Sequence, residues 1–278
     1  MLSALRFSVY LALTFALIPL QMLAVARSWP LRDRLPLFYH KLVCRIFGFE
    51  VEVVGAPTRD RPTLFVSNHG SYIDIEVLGS VVPGSFIAKN DVAQWPLFGL
   101  LAKLQRTVFV DRLARTASKQ QRDSVADRLA AGDNLILFPE GTSNDGNRLV
   151  PFKSSLFGAA EIQVDGKPVT VQPLTIAYTR VDGMPMQRRD RPNFAWYGDM
   201  ALVNHMWRLI GAEGVRFLVV FHEPVSLRDF ASRKTLATHC ERVIARTLSA
   251  ANAGRPPYPH AWAPEMRAGE SAPERSIA

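Results

Sequence analysis

Thr63-Leu64-Phe65-Val66-Ser67-Asn68-His69-Gly70-Ser71-Tyr72-Ile73-Asp74 is the stretch on which the fold turns. Five β-prone residues lead into Asn68-His69-Gly70-Ser71, and a helical apolar pattern runs from Asp74 to residue 81. Strand, loop and helix in that order open a βα unit. Working outward, β-branched runs at 51–54, 86–88, 107–110, 135–138, 169–178 and 215–221 alternate with helical patterns near 97–104, 114–131, 153–162, 200–210 and 227–251. The alternation predicts an α/β fold, a largely parallel sheet flanked by helices, without internal repeats. Open sheets of this kind place their sites in loops at the carboxyl ends of strands, which makes 68–73 the first place to look.

Composition bounds the partners. With 48% hydrophobic and 21% charged residues, the chain is neither disordered nor of low complexity, and a mean hydropathy of +0.03 leans high for a soluble enzyme. A net charge of +8 points to an anionic partner: nucleic acid, a membrane surface or a phosphorylated substrate. Cys44 and Cys240 are too few for a disulfide framework and lack metal-type spacing, as expected in a reducing compartment.

Residues 7–26, FSVYLALTFALIPLQMLAVA, carry no charge. As a helix they would reach roughly 30 Å, the thickness of a bilayer core. Ala24-Val25-Ala26 has the form of a signal-peptide cleavage site, and a helix buried in a soluble core is a third reading. A membrane anchor fits best, with Pro19 and Gln21 permitting a kink or entry into one leaflet. Arg27, Arg32, Arg34, Lys41 and Arg45 follow the run, so the bulk of the chain is expected on the cytoplasmic side of a bacterial inner membrane. Residues 31–49 mix those cations with apolar positions and read as an amphipathic interfacial helix or an ordinary packing helix. The expected division is 1–49 anchor and interfacial helix, 50–253 α/β domain, and 254–278 flexible tail.

Of six histidines, only His69 is followed by an aspartate five residues on. Along one continuous helix the two side chains would stand roughly 140° apart and could not meet. With His69 in the loop and Asp74 in the first helical turn, Asp74 can reach back, hold one imidazole nitrogen and leave the other as a general base. Ser71-x-x-Asp74 is also a capping box, in which Asp74 only satisfies the helix start; the two roles are compatible.

The run from Asn68 to Asp74 resembles the NHxSxxD signature of the glycerolipid acyltransferases, specifically the bacterial 1-acylglycerol-3-phosphate acyltransferases. Gly84-Ser85-Phe86-Ile87-Ala88-Lys89, Trp95-Pro96-Leu97-Phe98-Gly99 and Val108-Phe109-Val110-Asp111-Arg112 resemble the second block. Phe138-Pro139-Glu140-Gly141-Thr142-Ser143 is similar to the third and Val171-Gln172-Pro173-Leu174 to the fourth. Order and spacing agree over about two-thirds of the chain.

The resemblance implies acyl transfer from an acyl-CoA or acyl carrier protein thioester to the sn-2 hydroxyl of 1-acylglycerol 3-phosphate. The product would be phosphatidic acid, made without a cofactor or a covalent acyl-enzyme. His69 would be the base and Asp74 its orienter; backbone N–H groups after His69 could stabilise the oxyanion. Lys89, Arg112, Glu140, Gly141 and Thr142 would bind the acceptor, the cations on its phosphate and Glu140 orienting a cation or touching glycerol. The family usually has Arg where Ser143 stands. Either Arg148 or Lys153 supplies that charge, or the acceptor is another lysolipid such as lyso-ornithine lipid. Expected partners are membrane phospholipids, a lysophospholipid and the thioester donor, with no nucleic acid. A thioester hydrolase and a non-enzymatic basic membrane- or nucleic-acid-binding protein are the rival classes.

Other features read as structure. The charged face of 114–131 suits a solvated helix, and His40, His205, His222, His239 and both cysteines read as packing or surface residues. Met184-Pro185-Met186 with Trp196 and Tyr197 suits a packed loop or a lipid contact.

Overall fold

The structure, a computed structural model, describes residues 1–110, 119–256 and 276–277. Strands β1 (Phe49–Val54), β2 (Thr63–Ser67), β3 (Ser85–Lys89), β4 (Val108–Val110), β5 (Leu135–Leu137), β6 (Thr170–Val181) and β7 (Val215–Phe221) form one sheet in the order β1-β7-β6-β2-β5-β3-β4. Every neighbouring pair is parallel except β7–β6. Helices α1 (Leu2–Ala26), α2 (Leu31–Phe47), α3 (Ile73–Val81), α4 (Phe98–Leu104), α5 (Lys119–Ala130), α6 (Leu202–Ile210) and α7 (Arg233–Asn252) complete the fold.

Helices cover both faces, so the strands read as continuous apolar runs and the period of two decides which layer each side chain joins. Phe65, Ile136, Ile176 and Tyr178 enter the layer beneath α1, α2 and α3. Leu64, Val66, Leu135 and Leu137 face the layer that α5 and α7 close through Val125, Leu129, Leu236 and Ile244.

Three sequence expectations change. The stretch 153–162 forms a 3-10 helix over Ser154–Glu161, where Gly158 and two serines weaken an α-helix. The single helix expected over 227–251 is interrupted: Ser226 and Asp229 cap a 3-10 turn at Leu227–Asp229, and Ser232 with Thr235 caps α7. Of the expected flexible tail, Ser276–Ile277 pair antiparallel with β1, and 257–275 and 278 lie outside the described residues.

α1 is built inside out. Leu2, Leu5, Val9, Phe15, Leu20, Met22 and Leu23 are exposed, and only 22% of its apolar window is buried, which rules out a core helix. Its polar residues face the protein. Arg6 donates to the carbonyls of Ile210 (2.9 Å) and Ala212 (2.6 Å), and Gln21 to those of Arg32 (2.9 Å) and Leu104 (2.8 Å). Between them, Thr14 Oγ1 lies 2.9 Å from Tyr39 Oη. α2 is mainly a packing helix: Leu35, His40, Val43, Cys44 and Phe47 are buried, and Phe38 stays exposed.

Candidate active site

β2 ends at Ser67, and Asn68 turns the chain by replacing ladder bonds with its amide. Oδ1 accepts from the Ile176 N–H (2.9 Å) and Nδ2 donates to the Ile176 carbonyl (2.8 Å). His69 therefore emerges beside β6 at the carboxyl edge of the sheet. A Cβ on Gly70 would lie 3.1 Å from the Tyr178 ring, a tight approach to a side chain held by its bond to Asp74.

Asp74, in the first turn of α3, is fully buried and accepts four hydrogen bonds. Oδ2 takes those of His69 Nδ1 (2.9 Å), Gly70 N–H (2.7 Å) and Ser71 N–H (3.0 Å), and Oδ1 takes that of Tyr178 Oη (2.6 Å). Asp74 thus holds the loop before α3 and the imidazole at once, but the full Ser71–Asp74 capping box does not form: the helix begins after Tyr72 with no side-chain cap. An acceptor at Nδ1 fixes the tautomer with the proton on that nitrogen and leaves the lone pair on Nε2. Nε2 has no hydrogen-bond partner among the described residues, and the His69 side chain is 18% exposed. Its ring stacks on Phe138, centroids 4.1 Å apart.

Glu140 follows the neighbouring strand β5 and joins the two loops from behind. Oε1 accepts the His69 N–H (2.7 Å); Oε2 accepts from Asn144 Nδ2 (2.7 Å) and the Val150 N–H (2.8 Å). Asn144 also donates to the His69 carbonyl (3.1 Å). Burial pushes the Glu140 carboxyl up to about 7, against the pull of those three donors.

A family model described as "Acyltransferase" matches residues 50–177. The lyso-ornithine lipid O-acyltransferase of Brucella abortus is 44% identical over 247 residues, covering 88% of this chain and 92% of that protein. The chain belongs to the acyltransferase family. The 1-acyl-sn-glycerol-3-phosphate acyltransferase of Neisseria gonorrhoeae is 32% identical over 170 residues, covering 60% and 63% of the two chains. The crystal structure of the 1-acyl-sn-glycerophosphate (LPA) acyltransferase PlsC from Thermotoga maritima superposes with a TM-score of 0.55 at 23% identity, covering 87% of this chain and 96% of that one. The expected α/β class, with its mostly parallel sheet and N-terminal apolar helix, is the fold the two share.

In this acyltransferase the remaining sequence-selected residues fall unevenly. Lys89 ends β3, exposed, on the same sheet edge as His69 and Glu140. Thr142 is exposed and makes only a 3.4 Å contact to the Ser143 carbonyl. Gly141 has φ +73°, and the Lys153 ammonium packs where its Cβ would be, 2.9 Å away. Arg148 is exposed, and Arg112 lies outside the described residues, as does the start of the helix expected at 114.

Two expectations are corrected. Glu140 is fully buried rather than open to glycerol or a ligand cation, and its described bonds brace the His69 and Asn144 loops. Of the N–H groups expected to serve an oxyanion, those of Gly70 and Ser71 are already taken by Asp74 and that of His69 by Glu140. Sequence reasoning missed Tyr178 and Asn144. The first lay hidden in an apolar strand, and the second in an ordinary Asn-Asp-Gly turn.

Ser71 is fully buried, and burial pushes the Cys44 thiol up and that of Cys240 to about 12, so none of the three is an activated nucleophile. His222 is buried against Thr175 Oγ1 (2.8 Å) and held down to about 4. Beside the site opens a mainly apolar cleft, partly open to solvent, between α1, α2, α3 and α4. Leu17, Ile18, Tyr72, Phe86, Trp95 and Leu101 are among its walls.

Proposed function

We propose that the protein transfers a fatty acyl group from a thioester to the free hydroxyl of a membrane lysolipid, and that the acceptor is lyso-ornithine lipid. The chemistry is carried by the imidazole that Asp74 fixes through Nδ1 while Nε2 is left free. As the acceptor oxygen attacks the thioester carbonyl carbon, Nε2 takes its proton. Asp74 stabilises the imidazolium, and the proton passes to the departing thiolate as the carbon–sulfur bond breaks. The adjoining apolar cleft suits an acyl chain. Coenzyme A and acyl carrier protein both present such a thioester.

The acceptor assignment is supported by the 44% identity to the Brucella enzyme along nearly the whole chain, and by Ser143 where a phosphate-binding arginine is usual. An ornithine headgroup carries a carboxylate and an ammonium, for which the single charge of Lys153 beside Gly141 is better matched than a guanidinium fork. The second reading keeps 1-acylglycerol 3-phosphate as acceptor and relies on Lys89 and Arg112. Purified protein given each acceptor with the same donor separates them. We expect kcat/KM to favour lyso-ornithine lipid by at least about tenfold, a difference of about 1.4 kcal/mol; the reverse preference selects the second reading, and turnover of neither overturns both.

The membrane site is the cytoplasmic leaflet of the inner membrane, in line with the cations that follow α1. Fastened to the domain from Arg6 to Gln21, α1 would drag polar loops into lipid if it crossed; insertion into one leaflet avoids that cost.

A further inference from the structure

α6 has two unlike faces. Inward, His205 is buried with Nδ1 3.0 Å from Tyr72 Oη, and Leu202 and Tyr72 both line the cleft. Outward, Val203 is 69% and Trp207 49% exposed, one turn apart, with the exposed Arg208 about 100° further round the helix from Trp207. An apolar stripe with an indole and a flanking arginine is ill matched to water and well matched to an anionic lipid surface, where the ring sits among headgroups and the cation meets phosphate.

The stripe does not stand alone. Trp207 meets Phe7 of α1 edge-on, ring centroids 6.2 Å apart, so α6 packs beside the flank of that helix. Arg6 clamps the two helices together, its guanidinium on carbonyls at the carboxyl end of α6, where a cation is favoured. α6 therefore lies directly against the helix that a leaflet would receive.

We propose that α6 is a second bilayer-contacting element. Val203 and Trp207 enter the headgroup–acyl boundary of the leaflet that holds α1, Arg208 pairs with anionic headgroups, and the Tyr72 side of the cleft is thereby seated on the lipid that supplies its substrates. This rests on the proposed lysolipid acyltransferase reading only for its consequence in turnover; the contact itself is measured without it.

The test uses the full-length protein and vesicles of phosphatidylethanolamine and phosphatidylglycerol. Cys44 and Cys240 are both buried, so a cysteine placed by Val203→Cys is the accessible site for an environment-sensitive fluorophore. We expect its emission to shift to the blue on vesicles and to be quenched by nitroxide lipids but not by iodide. A label at Val9→Cys on the outer face of α1 is the control. Lipid signals at both positions support the proposal. A signal at position 9 with an iodide-accessible label at 203 overturns it and leaves the membrane reading standing; silence at both overturns each.

Val203→Glu, at an exposed position, supplies the second readout. Turnover of vesicle-embedded lysolipid should fall roughly tenfold, and turnover of dispersed short-chain lysolipid should change less than about twofold. Equal loss on both acceptors overturns the proposal. So does a loss confined to carrier-protein thioesters, which would make α6 a protein-docking face.

Discussion

Two histidines of this protein rest on carboxylates of the same helix, and only one is built to accept a proton from substrate. Asp74 and Glu76 both lie in the first turn of α3, and two residues turn a helix by about 200°, so they face opposite ways. Asp74 holds His69 at 2.9 Å, and Glu76 holds His40 at 2.6 Å, both through Nδ1. By distance alone the His40 pair is the better one.

The surroundings reverse that order. At His69 the carboxylate is wholly buried and the imidazole 18% exposed; at His40 the imidazole is 5% and the carboxylate 20% exposed. Three further donors fix Asp74. The far edge of His40 instead presses on α3 itself, for a Cβ on Gly79 would lie 2.4 Å from its Cδ2 and 2.8 Å from its Nε2. A histidine–carboxylate pair becomes a base when its second nitrogen is left open, and helix backbone closes that of His40.

Removing each histidine tests the contrast with the largest effect. His69→Ala should lower kcat by roughly 10²–10⁴-fold, the usual contribution of a positioned base, with the fold retained. His40→Ala leaves Glu76 without its partner and should cost roughly 1–3 kcal/mol of stability while kcat falls less than about tenfold. Steady-state kinetics and thermal melts on both variants give the comparison; similar kcat losses would refute the division of roles.

Tyr178 sharpens the same contrast, since His40 has no counterpart to it. Its hydroxyl donates to Asp74 Oδ1, so Tyr178→Phe leaves the carboxylate that orients His69 with one donor fewer. Activity should fall about tenfold in kcat with KM little changed, the mark of an interaction that acts in the transition state. The groups facing His69 are Asp74 from α3, Tyr178 from β6, Phe138 from the β5 loop and Glu140 through the backbone. None of the others is altered by the substitution. A kcat equal to that of wild type would make Tyr178 a packing residue.

How much could be read beforehand follows from chain distance. His69 and Asp74 are five residues apart across one strand–loop–helix junction, and the loop geometry that lets them meet followed from helix pitch alone. Alternating apolar runs likewise foretold the strands, because helices on both faces leave little choice of residue. Tyr178 is 104 residues from Asp74, and nothing local in an apolar strand marks a hydroxyl aimed at a carboxylate. Glu140 looked like a ligand because a carboxylate in a loop usually is solvated; only the fold shows the His69, Val150 and Asn144 donors closing on it. The inverted α1 left a trace that went unread. Arg6, Thr14 and Gln21 fall within about 80° of one another on a helix, a polar stripe on a segment otherwise free of charge.

The smallest expected effect isolates the closed pair. Gly79→Ala adds one methyl where α3 touches the His40 ring, and the ring cannot retreat without leaving Glu76, to which it is held at 2.6 Å. Gly79 lies in the helix interior, where alanine on propensity grounds should stabilise by up to about 1 kcal/mol. Overpacking against an aromatic edge costs about 1–3 kcal/mol, so the steric term wins and the variant should melt earlier. Asp74 faces the other side of α3, so kcat should stay within about threefold of wild type. A variant as stable as wild type would mean that α2 yields at this contact, and His40 would then be free to open the nitrogen that now separates it from His69.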